Sequence, residues 1–265
     1  MRTNESHMNN TIPASEAEDN EDSDSISSCS EKLPLVSVIL ATYNERDNIG
    51  QMIEATLENI RQPVEIIVVD DNSPDGTADY VRGLENPDVI LILRLRERGL
   101  ASAVARGVME SKGEIIGWID ADMPGEAKNL SNMVELTKVH DVVIASRFVA
   151  GGGDTRHFAR TLASRLINGF AKAVLGYGIN DYGSCVAMVR RNVFDDVMII
   201  PYGFGDFFIE FVYGCCKKGF MVHEMPYHLL SREGGASKSF PSIKGFLWLG
   251  SKYVIRVLAA RFRPD

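Results

Sequence analysis

The chain has 265 residues, 45% of them apolar, which is enough for one sizeable core with tails and does not call for two domains. Its formal net charge of -8 argues against a general nucleic-acid binder, so no nucleic-acid partner is expected. Four cysteines, Cys29, Cys185, Cys215 and Cys216, form no CxxC pair and suit reduced structural thiols better than a disulfide frame or a zinc site.

Residues 1–33 are rich in Ser, Asn, Asp and Glu and nearly free of apolar side chains. They cannot offset the entropy of ordering and are expected to form a disordered tail. No basic start followed by an apolar stretch of about 7–15 residues occurs near Met1, so the expected location is the cytoplasm. From Val36 the pattern changes to short β-branched runs at 36–40, 65–69, 89–93 and 115–119. Candidate helices at 46–60, 77–84 and 100–111 separate them, each long enough to return the chain parallel to the preceding strand. The expected fold class is α/β, with a mostly parallel central sheet and helices on both faces.

Ligands of such sheets sit beyond the carboxyl ends of the strands, and polar residues cluster there. They are Tyr43-Asn44-Glu45 after the first strand, Asp70-Asp71-Asn72 after the second and Asp120-Ala121-Asp122 after the fourth. Each cluster alone reads equally well as a helix cap or turn, whereas three in register favour a site. Asp120 and Asp122 can hold a hard cation, Mg²⁺ or Mn²⁺, that also accepts diphosphate oxygens; turn chemistry is the alternative for a lone DxD.

Further along come a strand at 141–146, a Gly151-Gly152-Gly153 loop, helices at 160–175 and 206–216, and a strand at 221–228. Arg147, Arg160, Arg232 and Lys238 place cations in or beside Gly- and Ser-rich loops, where phosphate is the ligand they serve best and solvated surface charge is the alternative. The last segment, 242–265, is expected to be a basic amphipathic helix with Phe246, Leu247, Tyr253, Val254, Val257 and Leu258 on one face. Its charges make it too short of apolar residues to span a bilayer. It either lies on anionic lipid or packs on the domain.

Ala41-Thr42-Tyr43-Asn44-Glu45, then Val68 to Thr77 (VVDDNSPDGT), then Asp120-Ala121-Asp122 resemble the inverting family 2 glycosyltransferases of the GT-A fold, in particular the dolichyl-phosphate mannose synthases. The resemblance covers about residues 35–238 and implies a catalytic domain over 34–241. It implies that Tyr43, Glu45, Val69 and Asp71 hold the nucleotide and that Asp120, Ala121 and Asp122 hold metal and diphosphate. Arg147 would lie near the sugar-phosphate, Arg160 and Ser164 would face the lipid phosphate, and Arg232 and Lys238 would belong to a loop that closes over the donor. The implied reaction moves a sugar, most simply mannose from GDP-mannose, to a polyprenyl phosphate at the cytoplasmic face of a membrane. Transfer of glucose or an N-acetylhexosamine, and a catalytically silent partner with the same fold, are the alternatives. Two departures stand out: Pro124 replaces a polar residue common two places after the second Asp, and Ala41 replaces a common Pro.

Overall fold

The computed structural model describes residues 33–156, 158–203, 205–229 and 243–263, with the backbone alone at 243–249. The expected N-terminal tail, apart from Leu33, and both Arg232 and Lys238 lie outside the described residues.

The first half alternates strand and helix: β1 (Val36–Thr42), α1 (Ile49–Asn59), β2 (Val64–Asp70), α2 (Thr77–Gly83), β3 (Val89–Leu93), α3 (Leu100–Glu110) and β4 (Ile115–Trp118). A 3₁₀ turn (Pro124–Asn129) leads into α4 (Leu130–Leu136) and β5 (Val142–Ser146). Then come β6 (Gly153–Asp154), α5 (Phe158–Leu175), β7 (Ala187–Arg190), α6 (Phe207–Lys217), β8 (Val222–Pro226), β9 (His228–Leu229) and α7 (Ile243–Phe262). Seven strands form one sheet in the order β3-β2-β1-β4-β7-β5-β8, and β6 pairs with β9 beside it. All pairings are parallel except those of β7, which runs against both β4 and β5.

Strand residues alternate between two apolar layers, as the period of two requires. Val36, Val38 and Leu40 pack with Met52, Ile53, Leu130 and Met133 from α1 and α4. Ile39, Ile67 and Trp118 pack on the other face with Val104, Phe208, Phe211 and Val257 from α3, α6 and α7. Trp118 stands 5.4 Å from the Phe211 ring and 6.3 Å from Phe208, so the strand end that precedes Asp120 is wedged in an aromatic cluster.

Three expectations need correction. The first helix starts at Ile49 and not at residue 46: residues 46–48 form a turn, whose entry is tied to the next loop by the amides of Glu45 and Arg46 donating to Thr77 Oγ1 and Asp75 Oδ2. Strand β7 and helix α4 gave no clear signal, β7 because only four residues of mixed character form it. The terminal helix does not keep its apolar residues on one side: Val257 is fully buried, while Val254, Leu258, Ile255 and Phe262 are exposed. Its Arg256 donates to Asp206 Oδ2 at 2.8 Å and to Glu210 Oε2 at 3.2 Å, so this helix packs on the body of the domain.

Gly117 in β4 marks the closest approach to β7, where an added Cβ would meet the Met188 side chain and lie 2.8 Å from the Ala187 carbonyl oxygen. Gly117→Val is therefore expected to destabilise the domain by about 1–3 kcal/mol, the usual cost of overpacking. Urea unfolding followed by far-UV circular dichroism measures this.

Candidate functional site

The strand order reverses between β1 and β4, which leaves a crevice at their carboxyl ends. Two of the clusters singled out from the sequence, Tyr43-Asn44-Glu45 and Asp120-Ala121-Asp122, follow these two strands. The third, Asp70-Asp71-Asn72, follows β2 next door, with Val69 buried just beneath it.

Hydrogen bonds knit the loops together. Asp70 is fully buried at the end of β2; its Oδ2 accepts from Thr42 Oγ1 at 2.9 Å and Ser73 Oγ at 2.6 Å, and its Oδ1 accepts from Ser73 N–H at 2.9 Å. Ser73 Oγ in turn accepts from Asn44 N–H at 2.9 Å. Asn44 and Asn72 both adopt left-handed backbone, with φ of 57° and 56°, a conformation that Asn tolerates better than most residues. Asp75 caps the neighbouring loop: burial raises its pKa, but bonds from Thr77 and the Arg46 amide outweigh this and hold it below the ordinary carboxylate value.

Asp71, also buried, has both oxygens engaged. Oδ1 accepts from Arg94 Nε at 2.7 Å, and Oδ2 accepts from Gly99 N–H at 2.9 Å. Asp120 and Asp122 are half-buried on the turn after β4, either side of buried Ala121. They supply oxygen donors only, the set that fits Mg²⁺ or Mn²⁺. No group of three or more His, Cys, Asp or Glu poised for a metal occurs among the described residues, so further ligands would be diphosphate and water oxygens. Pro124 opens the 3₁₀ turn behind them.

A second cluster lies at the end of β5. Arg147 is buried, and Asp181 Oδ2 accepts from its amide at 2.9 Å and its Nε at 2.8 Å, while Oδ1 accepts from its Nη2 at 2.7 Å. Burial works against the charge on Arg147, but Asp181, backed by Asp154, holds its pKa above the usual guanidinium value. Asp154 also accepts from Arg156 Nη2 at 2.6 Å, and Arg156 Nη2 donates to Ser164 Oγ at 3.1 Å. Ser164 is thereby tied to the Arg147 cluster, with half-buried Arg160 one turn before it on α5. A cleft of about 360 Å³ adjoins Arg147 and is lined also by Phe148, Arg165, Asn168, Lys172 and Asn180. Asp120 and Cys185 line one small pocket, and Arg147 Nη2 donates to the Gly183 carbonyl two residues before Cys185 at 3.1 Å, so the two clusters lie in one region.

Residue-type reasoning missed several members of this region. Glu224 on β8 accepts from Ser146 Oγ at 2.8 Å and from the amides of Asn180 and Asp181 at 2.9 Å each. A glutamate inside a strand of the sheet was the available signal. Arg94, Arg98, Asp154 and Arg156 were also overlooked; nothing in their local sequence separates them from surface charge. Three cysteines, Cys185, Cys215 and Cys216, are free, and burial pushes the Cys216 thiol up to about 11, so it is not a nucleophile at neutral pH.

Residues 37–198 match the family profile described as Glycosyl transferase family 2. The chain belongs to glycosyl transferase family 2. Among family 2 relatives, it is 34% identical over 210 residues to a dolichol-phosphate mannosyltransferase of Pyrococcus furiosus, covering 77% of this chain and 58% of that protein. It is 32% identical over 213 residues to a polyprenol monophosphomannose synthase of Mycolicibacterium smegmatis, covering 76% of this chain and 79% of that protein. An undecaprenyl-phosphate 4-deoxy-4-formamido-L-arabinose transferase of Proteus mirabilis is 28% identical over 63% of this chain and 52% of its own length. The chain thus spans little more than half of two of these three family 2 proteins. A crystal structure of glucosyl-3-phosphoglycerate synthase from Mycobacterium tuberculosis, in complex with Mn²⁺, UDP and glucosyl-3-phosphoglycerate, superposes with a TM-score of 0.67 at 15% identity, covering 88% of this chain and 81% of that one. At that identity the likeness establishes the GT-A fold alone.

The Asp154 bridge generates a pH dependence. Burial raises its pKa, but the bonds and charge of Arg156, with Arg147 behind, bring it below the ordinary carboxylate value. A depressed folded pKa contributes stability that is present above the unfolded value of about 4 and lost as pH falls through the folded one. Asp154→Asn is therefore expected to lower Tm at pH 7, with the gap to the parent protein narrowing below about pH 4. Thermal melts across this range check the sign.

Proposed function

We propose that this chain is an inverting, metal-dependent glycosyltransferase that moves mannose from GDP-mannose to a polyprenyl phosphate at a membrane surface. The observation that carries the proposal is the pair Asp120 and Asp122 at the strand-order reversal, in a family 2 chain with relatives at 34% and 32% identity that are named for mannosyl transfer to a dolichol or polyprenol phosphate. The Mn²⁺ and UDP of the M. tuberculosis enzyme, and the Mg²⁺ and UDP of another crystal form, support a divalent cation and a nucleotide in this fold.

Tyr43, Glu45 and Asp71 line the nucleotide side of the crevice on this reading, with fully buried Val69 backing them. Asp120 and Asp122 would hold Mg²⁺ or Mn²⁺, which when bound supplies charge neutralisation at the leaving diphosphate. Arg147, kept cationic by Asp181, adds fixed positive charge beside the sugar-phosphate without the reorganisation that water would need. Arg232 and Lys238 remain assigned to the donor loop on the strength of the family resemblance. A polyprenyl phosphate oxygen is ionised near neutral pH and attacks the anomeric carbon without a protein base, so the acceptor side needs aim more than proton transfer. Arg160 and Ser164 supply that aim. Ser164 is oriented by Arg156, and a single in-line displacement inverts the sugar.

The helices that carry these acceptor groups also carry the surface suited to lipid. On α5, Phe158, Leu162 and Leu166 are exposed at intervals of four, one stripe along a helix. On α7, which packs against α5, Ile255, Leu258 and Phe262 are exposed, and Lys252, Arg261 and Arg263 add positive charge. Such a surface suits peripheral attachment to anionic bilayers at the cytoplasmic face. No helix among the described residues is long and apolar enough to cross a membrane.

Radiolabelled GDP-mannose, UDP-glucose and UDP-N-acetylglucosamine offered with a polyprenyl phosphate test the reaction: the label from GDP-mannose is expected in the lipid fraction. Asp122→Ala is expected to abolish it with the fold intact. Arg160→Ala is expected to cost on the order of 1.5–3 kcal/mol in transfer efficiency through the lipid-phosphate requirement, with sugar-nucleotide binding unchanged. Label reaching only alcohols would overturn the acceptor assignment.

The lipid-facing surface has its own measurement. A Phe158→Glu, Leu166→Glu double variant is expected to sediment with anionic vesicles much less than the parent protein, while binding GDP equally well. Equal sedimentation would show that other parts of the chain hold the membrane.

A further inference from the structure

We infer that Arg98 reads the nucleobase of the donor and selects guanine, and that Asp71 acts through it by clamping the loop on which it sits. The inference rests on the donor-site reading above and extends it to the specificity of that site.

The loop after β3 begins at Arg94 and ends at Gly99, and one carboxylate holds both ends. Arg94, 5% exposed, donates from Nε to Asp71 Oδ1 at 2.7 Å, and its Nη2 pairs with the same oxygen. Gly99 donates its N–H to Asp71 Oδ2 at 2.9 Å. Arg94 closes the loop on itself by donating from Nη2 to the Gly99 carbonyl at 3.1 Å and from Nη1 to Ser102 Oγ at 2.9 Å. Gly99 has φ of 136°, which side-chain-bearing residues rarely adopt, so the loop turns sharply into α3 at this point.

The four residues between these anchors are exposed, yet one of them is placed. The guanidinium carbon of Arg98 lies 4.5 Å from the centroid of the Tyr43 ring. Tyr43 is 39% exposed at the end of β1, where the nucleotide is assigned. An exposed arginine on a freely moving loop would have little reason to stack there, because the attraction is worth only about 0.5–1 kcal/mol at such a site. With both loop ends fixed by a buried ion pair, the stacked position loses little further entropy.

A base entering beside Tyr43 therefore meets a planar, two-pronged donor. Guanine offers two adjacent acceptors, O6 and N7, that match the arginine fork. Adenine places an amino donor where guanine has O6, so one prong faces a donor, and uracil offers a single exocyclic oxygen on the corresponding edge. The order expected from this chemistry is GDP, then UDP, then ADP.

Calorimetric titration of the full chain with GDP, 7-deaza-GDP, UDP and ADP in the presence of Mn²⁺ tests the assignment without any transfer assay. The parent protein is expected to prefer GDP over ADP and to bind 7-deaza-GDP, which lacks the N7 acceptor, more weakly than GDP. Arg98→Ala, at an exposed position, is expected to lower GDP affinity roughly ten- to a hundredfold, to leave ADP nearly unaffected, and to erase the 7-deaza penalty. Arg98→Lys, which keeps the charge but loses the planar fork, is expected to retain only part of the GDP preference. If Asp71 acts through Arg98, then Asp71→Asn on the Arg98→Ala background removes no further GDP-over-ADP preference. An unchanged GDP-to-ADP ratio in Arg98→Ala overturns the inference while leaving the donor site standing, and additive losses in the double variant overturn the clamp. A parent protein that binds no nucleotide overturns the donor reading and this inference together.

Discussion

A carboxylate taken out of water must be met by donors, and this domain places Asp70, Asp71, Asp154, Asp181 and Glu224 where loops can supply them. They draw on backbone amides, hydroxyls and arginines, some close in sequence and some distant: Ser73 and Thr42 on Asp70, Arg94 and Gly99 on Asp71, Arg156 on Asp154, Arg147 and Gly183 on Asp181, Asn180 and Ser146 on Glu224. The carboxyl ends of the strands are thus ordered by buried charge more than by apolar contact. Removal of one partner from the buried Asp71–Arg94 or Asp181–Arg147 ion pair strands the other, at a cost of about 3–5 kcal/mol.

The same arrangement explains which residues are in position for chemistry. On the proposed assignment, Arg147 sits beside the sugar-phosphate with its charge already compensated on one side by Asp181. It can present positive potential to a phosphate without collapsing onto the acidic residues after β4. Ser164 is held by Arg156, and Arg156 by Asp154, so the hydroxyl on α5 has an orientation before any ligand arrives.

Much of this was legible in the sequence, because apolar strands followed by acidic or amide-rich turns mark both a parallel sheet and its ligand edge. The first four strands, the order of their helices and the turn that carries Asp120 and Asp122 follow from that periodicity. The less legible parts depend on partners far away in the chain. Helix α1 begins late, after a turn at residues 46–48 whose entry Asp75 and Thr77 tie to the neighbouring loop. Strand β7 is short and gains its place only by pairing on both sides, and the ends of its neighbours are stapled by Arg190 and Arg191, which donate to the carbonyls of Thr137 and Gly113 at 2.6 Å each. Arg94, Arg98 and Glu224 are ordinary charges in sequence and acquire meaning only where the fold sets them against Asp71, Tyr43 and Asp181. The terminal helix held two possibilities, lipid contact and packing. Arg256 and Val257 serve packing, while Ile255 and Phe262 face away from the core.

The antiparallel strand β7 also divides the domain into two functional blocks. On one side, β1 to β4 and their loops come from a continuous run of chain, and on the proposed assignment they handle the donor. On the other, on the same assignment, α5 serves the acceptor and the end of β5 brings Arg147 to the sugar-phosphate, and the contact between the blocks within the sheet runs through four residues of β7. An acceptor helix that follows its own strand in this way can diversify while the donor loops stay unchanged. Exchange of α5 alone for the matching helix of a relative is the natural route to hybrid enzymes that keep one nucleotide and adopt a new acceptor.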